Sequence, residues 1–403
     1  MVRRLLRRRA FRLLWTGATV SLLGDALTFT ALIWLVYALT GSAAHVGYLV
    51  AVATAPVVVG GPLAGLALDR FDRRRLLVCD NVVRGVAVGI VPLLAALDAL
   101  QPWELYVVAA LHGLLKMIPL AGVPSLIPEL VEDDELEAAN GLESVSFALA
   151  AVVGPAAAGG LVAVLGAANV LILDAASYAF FAFALVLLPP LGRAAASGVA
   201  GRTLRDALRF VLRAPILLAT TAMFMLVNVG EGAVEVVLPV YARTILHGGA
   251  GTYGALASVA GCALLLGSLA AGAAAGRFPL GIAIGVAELL GAALLVPLAL
   301  KPSLPLAAAV LAGQSFFLGT LTVWAQTIRM RVLPAELRGR VFALLRTSMQ
   351  ATPPAGALIA APLLAAGGVS LAIVVAAALI GAPAAAALVS GVLVAQAERG
   401  SVQ

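Results

Sequence analysis

Ten carboxylate or basic side chains of Asp, Glu, Lys and Arg stand inside long apolar stretches of this sequence. Seven are acids (Asp25, Asp80, Glu143, Asp174, Glu231, Glu235 and Glu288) and three are bases (Arg84, Lys116 and Arg346). A charge at the middle of a bilayer costs at least about 2.5–3.5 kcal/mol, so such groups pair, face a wet cavity or bind protons. Spacing sorts them. Asp80 and Arg84 are four apart on one helix face and should form a structural ion pair near one end of their stretch. Glu143, Glu288 and Arg346 also lie near a stretch end, and Asp174 lies toward the opposite end. Asp25, Lys116, Glu231 and Glu235 are deep. Asp25 stands 13 residues beyond Arg12, about 20 Å along a helix. Glu231 and Glu235 share a face, and two close carboxylates in a low dielectric resist double ionisation, so one is expected to hold a proton. Asp25, Glu231 and Glu235 are therefore the candidate proton-coupling residues. Lys116 would pair with Asp25 or counter an anionic substrate. Lys116, Asn228 and Gln314 are the candidate substrate-binding residues.

Other chemistries find little support. His45, His112 and His247 have no metal-ligand spacing. Cys79 and Cys262 fall in separate apolar stretches and read as packing residues, not a disulfide. There is no Walker lysine motif for direct use of ATP. The acidic segment Glu129, Glu132, Asp133, Asp134, Glu135 and Glu137 lacks a nucleophile or histidine and reads as a solvated loop. No catalytic residue, metal or cofactor is expected, and the chain does not read as an enzyme.

The elements that position these residues follow from composition. The chain has 403 residues, 62% apolar and 11% charged, with a mean hydropathy of +1.07. Soluble proteins are about 45–50% apolar and about 25% charged. A soluble fold of this composition would expose large apolar patches. The apolar segments are continuous, unlike the alternating strands of an outer-membrane barrel. Twelve spans are expected: 12–38, 45–68, 76–97, 103–127, 139–165, 168–188, 216–243, 252–275, 281–300, 304–328, 341–366 and 369–394. The exceptional connection is 189–215. It ends in a stretch where Leu204, Leu208 and Val211 line one helical face and Arg205, Arg209 and Arg213 another, as in an interfacial amphipathic helix. The expected domains are 1–188, a linker 189–215, and 216–403.

Orientation follows from lysine and arginine, which favour the cytoplasmic side. With the N-terminus inside, 21 of the 26 Lys and Arg fall in inner segments. Arg243 and Lys301 fall outside and the other three within spans. Both termini are expected in the cytoplasm, and the pI near 9.8 reflects this bias, so no nucleic-acid partner is expected. The halves also echo one another: Leu126-Ile-Pro-Glu-Leu130 precedes span 5 and Leu333-Pro-Ala-Glu-Leu337 precedes span 11. Related halves with a site between them are a transporter design.

One loop names a family. Between spans 2 and 3, Gly65, Asp69, Arg70, Arg73 and Arg74 match the loop motif Gly-x-Leu-Ala-Asp-Arg-x-Gly-Arg-Arg, which resembles that of the major facilitator superfamily. Asp72 stands where many members have Gly, and Ala67-Leu68 reverses the usual order. Ser21-Leu-Leu-Gly24-Asp25, Ala139-Asn140-Gly141-Leu142 leading to Gly154-Pro155, and Arg338-Gly339-Arg340-Val341-Phe342 resemble the branch of enterobactin exporters and macrolide efflux proteins. Gly61 and Gly65 share a face that would let another helix approach, and Asp69 would accept hydrogen bonds at a helix N-terminus. The resemblance implies an all-α membrane protein of twelve helices in two pseudo-symmetric six-helix bundles. It makes Gly65, Asp69, Arg70, Arg73 and Arg74 a conformational gate. The expectation is a monomeric, multi-pass transporter of a bacterial cytoplasmic membrane, in contact with membrane lipids and moving a small molecule outward in exchange for protons. An uptake carrier or lipid flippase of the same fold is the alternative.

Overall fold

A computed structural model describes residues 2–132, 135–189, 204–274, 277–333, 341, 345 and 348–393. Among these the regular structure is helical. A short α1 (Val2–Arg7) leads into α2 (Arg9–Thr40). Then come α3 (Ala43–Thr54), α4 (Val57–Arg70), α5 (Arg73–Ala96), α6 (Pro102–Leu115) and α7 (Met117–Leu126). The chain continues with α8 (Leu136–Leu165), α9 (Ala167–Val186), α10 (Leu204–Arg213) and α11 (Pro215–Thr244). Last are α12 (Ala250–Ala273), α13 (Leu280–Leu295), α14 (Leu304–Val332) and α15 (Pro353–Val389).

Ten helical stretches among the described residues are long and apolar enough to cross a membrane. Two of them are broken helices. Ala43–Arg70 joins α3 and α4 across Ala55-Pro56, and Pro102–Glu129 continues from α6 through α7 across Lys116. Proline supplies no N–H to the helix ladder, so Pro56 and Pro119 account for these breaks. The 30-residue α8 stands where span 5 was expected. The expected spans 11 and 12 run together in α15, interrupted at Gly368 with φ 69° and ψ −170°. That backbone is open to glycine and lets one span end and the next begin without a loop. Part of expected span 11, with Arg346 and most of Arg338–Phe342, lies outside the described residues. So do Asp133 and Asp134, and most of the second half of the Leu333–Leu337 echo.

The chain divides into two compact units, Met1–Ser197 with Gly248–Ser258, and Gly198–His247 with Val259–Gln403. Lipid tails are as apolar as leucine, so close approach of small residues drives helix packing inside each unit. In the second unit, a Cβ on Gly356 would strike the Val229 carbonyl, and one on Gly232 would strike that of Pro353, so α11 and α15 meet backbone to backbone. In the first unit, Leu5, Phe11, Leu77, Ile127 and Phe181 form part of one buried cluster that anchors α1.

Several expectations change. Cys79 and Cys262 are exposed rather than packed. In a membrane both faces of a helix are apolar, so an apolar run does not say which face is inward. Phe181 is buried, whereas Phe180 and Phe183 are exposed. The α10 helix forms as expected, with Val211 buried and Leu208 and Leu212 exposed beside Arg209 and Arg213. Arg329, one of the 21 Lys and Arg of the expected inner segments, is 3% exposed. Its guanidinium lies 4.6 Å from the Phe224 ring centroid and donates to the Thr220 carbonyl at 3.3 Å.

Candidate functional site

Three helices of the first unit converge on a buried charge cluster. The α2 helix supplies Asp25, α5 supplies Asp80 and Arg84 from one face, and α9 supplies Asp174, Ser177 and Tyr178. The latter three also share a face, three and four residues apart. Asp25 and Arg84 each sit beside a glycine that admits α9. A Cβ on Gly24 would collide with the Asp174 carboxylate and the Ser177 hydroxyl, and a Cβ on Gly85 would stand 3.2 Å from Tyr178 Cβ.

Arg84 is the hub. It is 1% exposed and donates through Nη2 to Asp80 Oδ2 at 2.8 Å. Through Nη1 it reaches Asp25 Oδ1 at 3.1 Å and Oδ2 at 3.3 Å. Its guanidinium lies 4.5 Å from the Tyr178 ring centroid, and Nη1 also donates to the Tyr178 oxygen at 3.1 Å. The Tyr178 hydroxyl donates to Asp25 Oδ1 and lies 3.4 Å from His112 Nδ1. The expected Asp80–Arg84 pair is present. The partner of Asp25, however, is Arg84, not Lys116. Arg84 stands 11 residues beyond Arg73 in α5, about 16 Å along the axis. That puts it as deep as Asp25 and not near the helix end.

Asp25 and Arg84 line a cavity partly open to solvent. Its other charged lining residues are Lys116 and Glu143, set among apolar groups such as Trp15, Phe147 and Phe181. Lys116 is exposed at the break between α6 and α7. The Asp25 side chain is 18% exposed, and that of Asp80 is fully buried. Of the two acids paired with Arg84, Asp25 thus meets the cavity and Asp80 is the enclosed counter-ion.

In the second unit, Gln314 Nε2 donates to Glu231 Oε1 at 2.6 Å, and Ser315 donates to Gln314 Oε1 at 3.1 Å. Glu231 and Gln314 are thus brought together. Glu235 lies one turn further along α11, half-buried. Asn228 donates to the Met349 carbonyl at 2.8 Å, tying α11 to the chain before α15. Glu288 is 2% exposed, and neither carboxylate oxygen has a hydrogen-bond partner among the described residues.

The gate loop takes an arrangement its motif did not reveal. Arg73 donates to the Ser125 carbonyl at 3.1 Å and stands 3.7 Å from Glu129. Arg74 donates to the Val186 carbonyl. Asp69 and Arg70 are exposed, with no hydrogen bond or ion pair among the described residues. The helix-capping acid is Asp72, which accepts from Arg75 N at 2.8 Å and caps α5. A short acid just before a helical run signals this role in the sequence. The close approach expected at Gly61 and Gly65 falls instead at Gly60, where a Cβ would strike the Leu114 carbonyl. A Cβ on Gly65 would meet nothing within 4 Å.

The acidic segment is not simply a solvated loop. Arg4 Nη2 lies 2.7 Å from Glu132, and Arg8 Nη2 lies 2.5 Å from it. Arg4 Nε and Arg8 Nε stand 3.2 Å and 2.9 Å from Glu135, whose side chain is fully buried. The Arg8 hydrogen bond holds the Glu132 carboxyl below its ordinary range, and Glu132 in turn raises Arg8.

Residues 4–401 match the family described as transmembrane secretion effector. The chain belongs to this family of the major facilitator superfamily. It is 27% identical over 370 residues to the multidrug efflux pump Tap of Mycolicibacterium fortuitum, covering 86% of this chain and 87% of that one. It is 30% identical over 261 residues to an MFS-type transporter of Sinorhizobium fredii, covering 64% of each, just under two thirds of that relative. A shorter match, 25% over 184 residues and 45% of each chain, is to macrolide efflux protein A of Streptococcus pyogenes. A peptide-complexed POT family transporter shares the fold with a TM-score of 0.75 at 13% identity, covering 96% of both chains. A bacterial homologue of the lysosomal transporter Spinster does so at 0.69 and 16%, covering 97% of this chain and 96% of that one. The fold is that of a major facilitator, a multi-pass membrane transporter of small molecules.

Proposed function

We propose that this chain exports a mid-sized amphipathic molecule, of the antibiotic or siderophore type, from a bacterial cytoplasm in exchange for protons, by alternating access. The observation that carries this reading is the Asp25 carboxylate on the wall of a largely apolar cavity, held by Arg84 and Tyr178. The printed functions of the Tap and macrolide relatives support efflux. A proton arriving from the cavity neutralises Asp25 and weakens its bond to Arg84. Arg84 then remains with Asp80, and the balance of charge at the cavity wall changes. That change is the link between proton entry and the conformational step.

In the second unit, Glu231 and Glu235 are the coupling acids. The Gln314 amide suits a titrating partner, because it donates to a carboxylate and accepts from the acid. Lys116, Asn228 and Gln314 are the polar substrate contacts of this reading, with Lys116 on the cavity wall. Gly65, Asp69, Arg70, Arg73 and Arg74 act as the conformational latch. The protein works as a monomer with both termini in the cytoplasm.

Everted membrane vesicles test the direction. An acid-interior gradient should drive a macrolide antibiotic into vesicles that carry the protein, and a protonophore should abolish the uptake. Accumulation only in intact cells, with none in everted vesicles, would overturn export.

A further inference from the structure

The buried acid that the coupling scheme leaves unused is Asp174. Its side chain has no exposed surface. Its hydrogen-bond partners are two hydroxyls, Thr28 Oγ1 on Oδ2 at 2.5 Å and Ser177 Oγ on Oδ1 at 2.9 Å. The groups facing it are few. From α2 comes Asp25, from α5 Asp80 and Arg84, from α6 His112, and from α9 itself Tyr178. Beyond Ser146, α8 carries no titratable side chain. Arg84 is the one cation of this group and is engaged with Asp25 and Asp80. No cation lies within ion-pair distance of Asp174 among the described residues.

The two kinds of partner are chemically different. A guanidinium only donates, so it fits an ionised carboxylate and resists a protonated one. A hydroxyl donates to a carboxylate or accepts from an acid, so it fits both forms. Asp25 has the first kind of partner, and Asp174 has only the second. A lone carboxylate without water or cation is the costly form, and neutralisation is the usual escape. Proximity to Asp25 adds to this. The notch left by Gly24, the residue before Asp25, is where the Asp174 carboxylate sits, and two close acids disfavour a second charge.

We propose that Asp174 is a second proton-carrying residue, seated behind Asp25, and that the pair shares one proton. This rests on the proton-coupled reading above. While Arg84 and Tyr178 hold Asp25 ionised, the proton stays on Asp174. The proton moves within the pair and reaches the cavity through Asp25: when Arg84 and Tyr178 release Asp25, the proton passes from Asp174 to Asp25, which lines the cavity. In that exchange one O–H bond forms at Asp25 and one breaks at Asp174, so the total charge of the pair is unchanged.

Infrared difference spectroscopy on the purified full chain tests this without any substrate. At neutral pH the wild type should show a carbonyl band of a protonated carboxylic acid that shifts in heavy water. Asp174→Asn, nearly the same shape as the neutral acid, should fold normally and lose the band. Asp25→Asn, which removes the acceptor of that proton while Asp174 keeps only its two hydroxyl partners, should retain it. Thr28→Val should keep the band at a shifted frequency, because one hydroxyl partner is gone. A wild type with no such band, or a band that survives in Asp174→Asn, would overturn the proposal. Wild-type flux indifferent to a pH gradient, with the Asp174-dependent band present, would instead sink the coupling reading and leave Asp174 as a protonated acid.

Discussion

The two units hold their expected coupling acids in opposite ways. In the first, three helices bring a guanidinium, a phenol and glycine-lined notches to Asp25, and the site is built from charge against charge. In the second, Glu231 meets the amide of Gln314, and Glu288 has no hydrogen-bond partner among the described residues. A paired charge fixes its neighbours strongly but resists change of protonation. An amide or hydroxyl partner holds more weakly and tolerates both states. The first unit should therefore be the more sensitive to loss of a partner, and the second the more forgiving.

The sharpest break of that contrast is Arg84→Met. It leaves Asp25 and Asp80 buried without a cation, a loss of about 3–5 kcal/mol, and thermal denaturation in detergent should show a strongly destabilised or misfolded protein. Next is Gly24→Ala. Its Cβ enters the space of Asp174 and Ser177, and overpacking of this kind costs about 1–3 kcal/mol. Gly65→Ala, in open space, should stay within about 0.5 kcal/mol of wild type in the same melt. In the second unit, Gln314→Leu should cost about 1–3 kcal/mol by leaving Glu231 without its amide. Equal losses from Arg84→Met and Gln314→Leu would erase the contrast.

The smallest effect concerns the clamp of α1 on the acidic segment. Glu132 has its pKa lowered by Arg8, so its contribution is present above the ordinary glutamate value of 4.5 and is lost as pH falls through the lower folded value. The pair is solvent-exposed, so salt should weaken it too. Limited proteolysis near the N-terminus should speed up on acidification below that range or at high salt, and Glu132→Gln should remove the pH response.

The spans were legible because their apolar runs and breaks are long-range patterns. The Gly368 break between expected spans 11 and 12, for example, falls within the predicted gap. The cluster was half legible. Asp80–Arg84 followed from i,i+4 spacing, but the Asp25 partner did not, since nothing in a sequence says which helices are neighbours. Tyr178 was missed for the same reason. Even so, the polar stripe Asp174, Ser177 and Tyr178 in an apolar run, and the pairs Gly24-Asp25 and Arg84-Gly85, are signals of a packed polar face. Gly65 and Asp69 were read from a motif, and the close approach and the helix cap went instead to Gly60 and Asp72.

The central claim is that a proton on Asp25 drives the export cycle. It is tested most directly in proteoliposomes, with wild type and Asp25→Asn reconstituted at matched amounts and an imposed pH gradient driving a macrolide antibiotic. Gradient-driven flux is expected in the wild type and none in Asp25→Asn, with melting curves showing that both are folded. Undiminished gradient-driven flux in folded Asp25→Asn would contradict the claim.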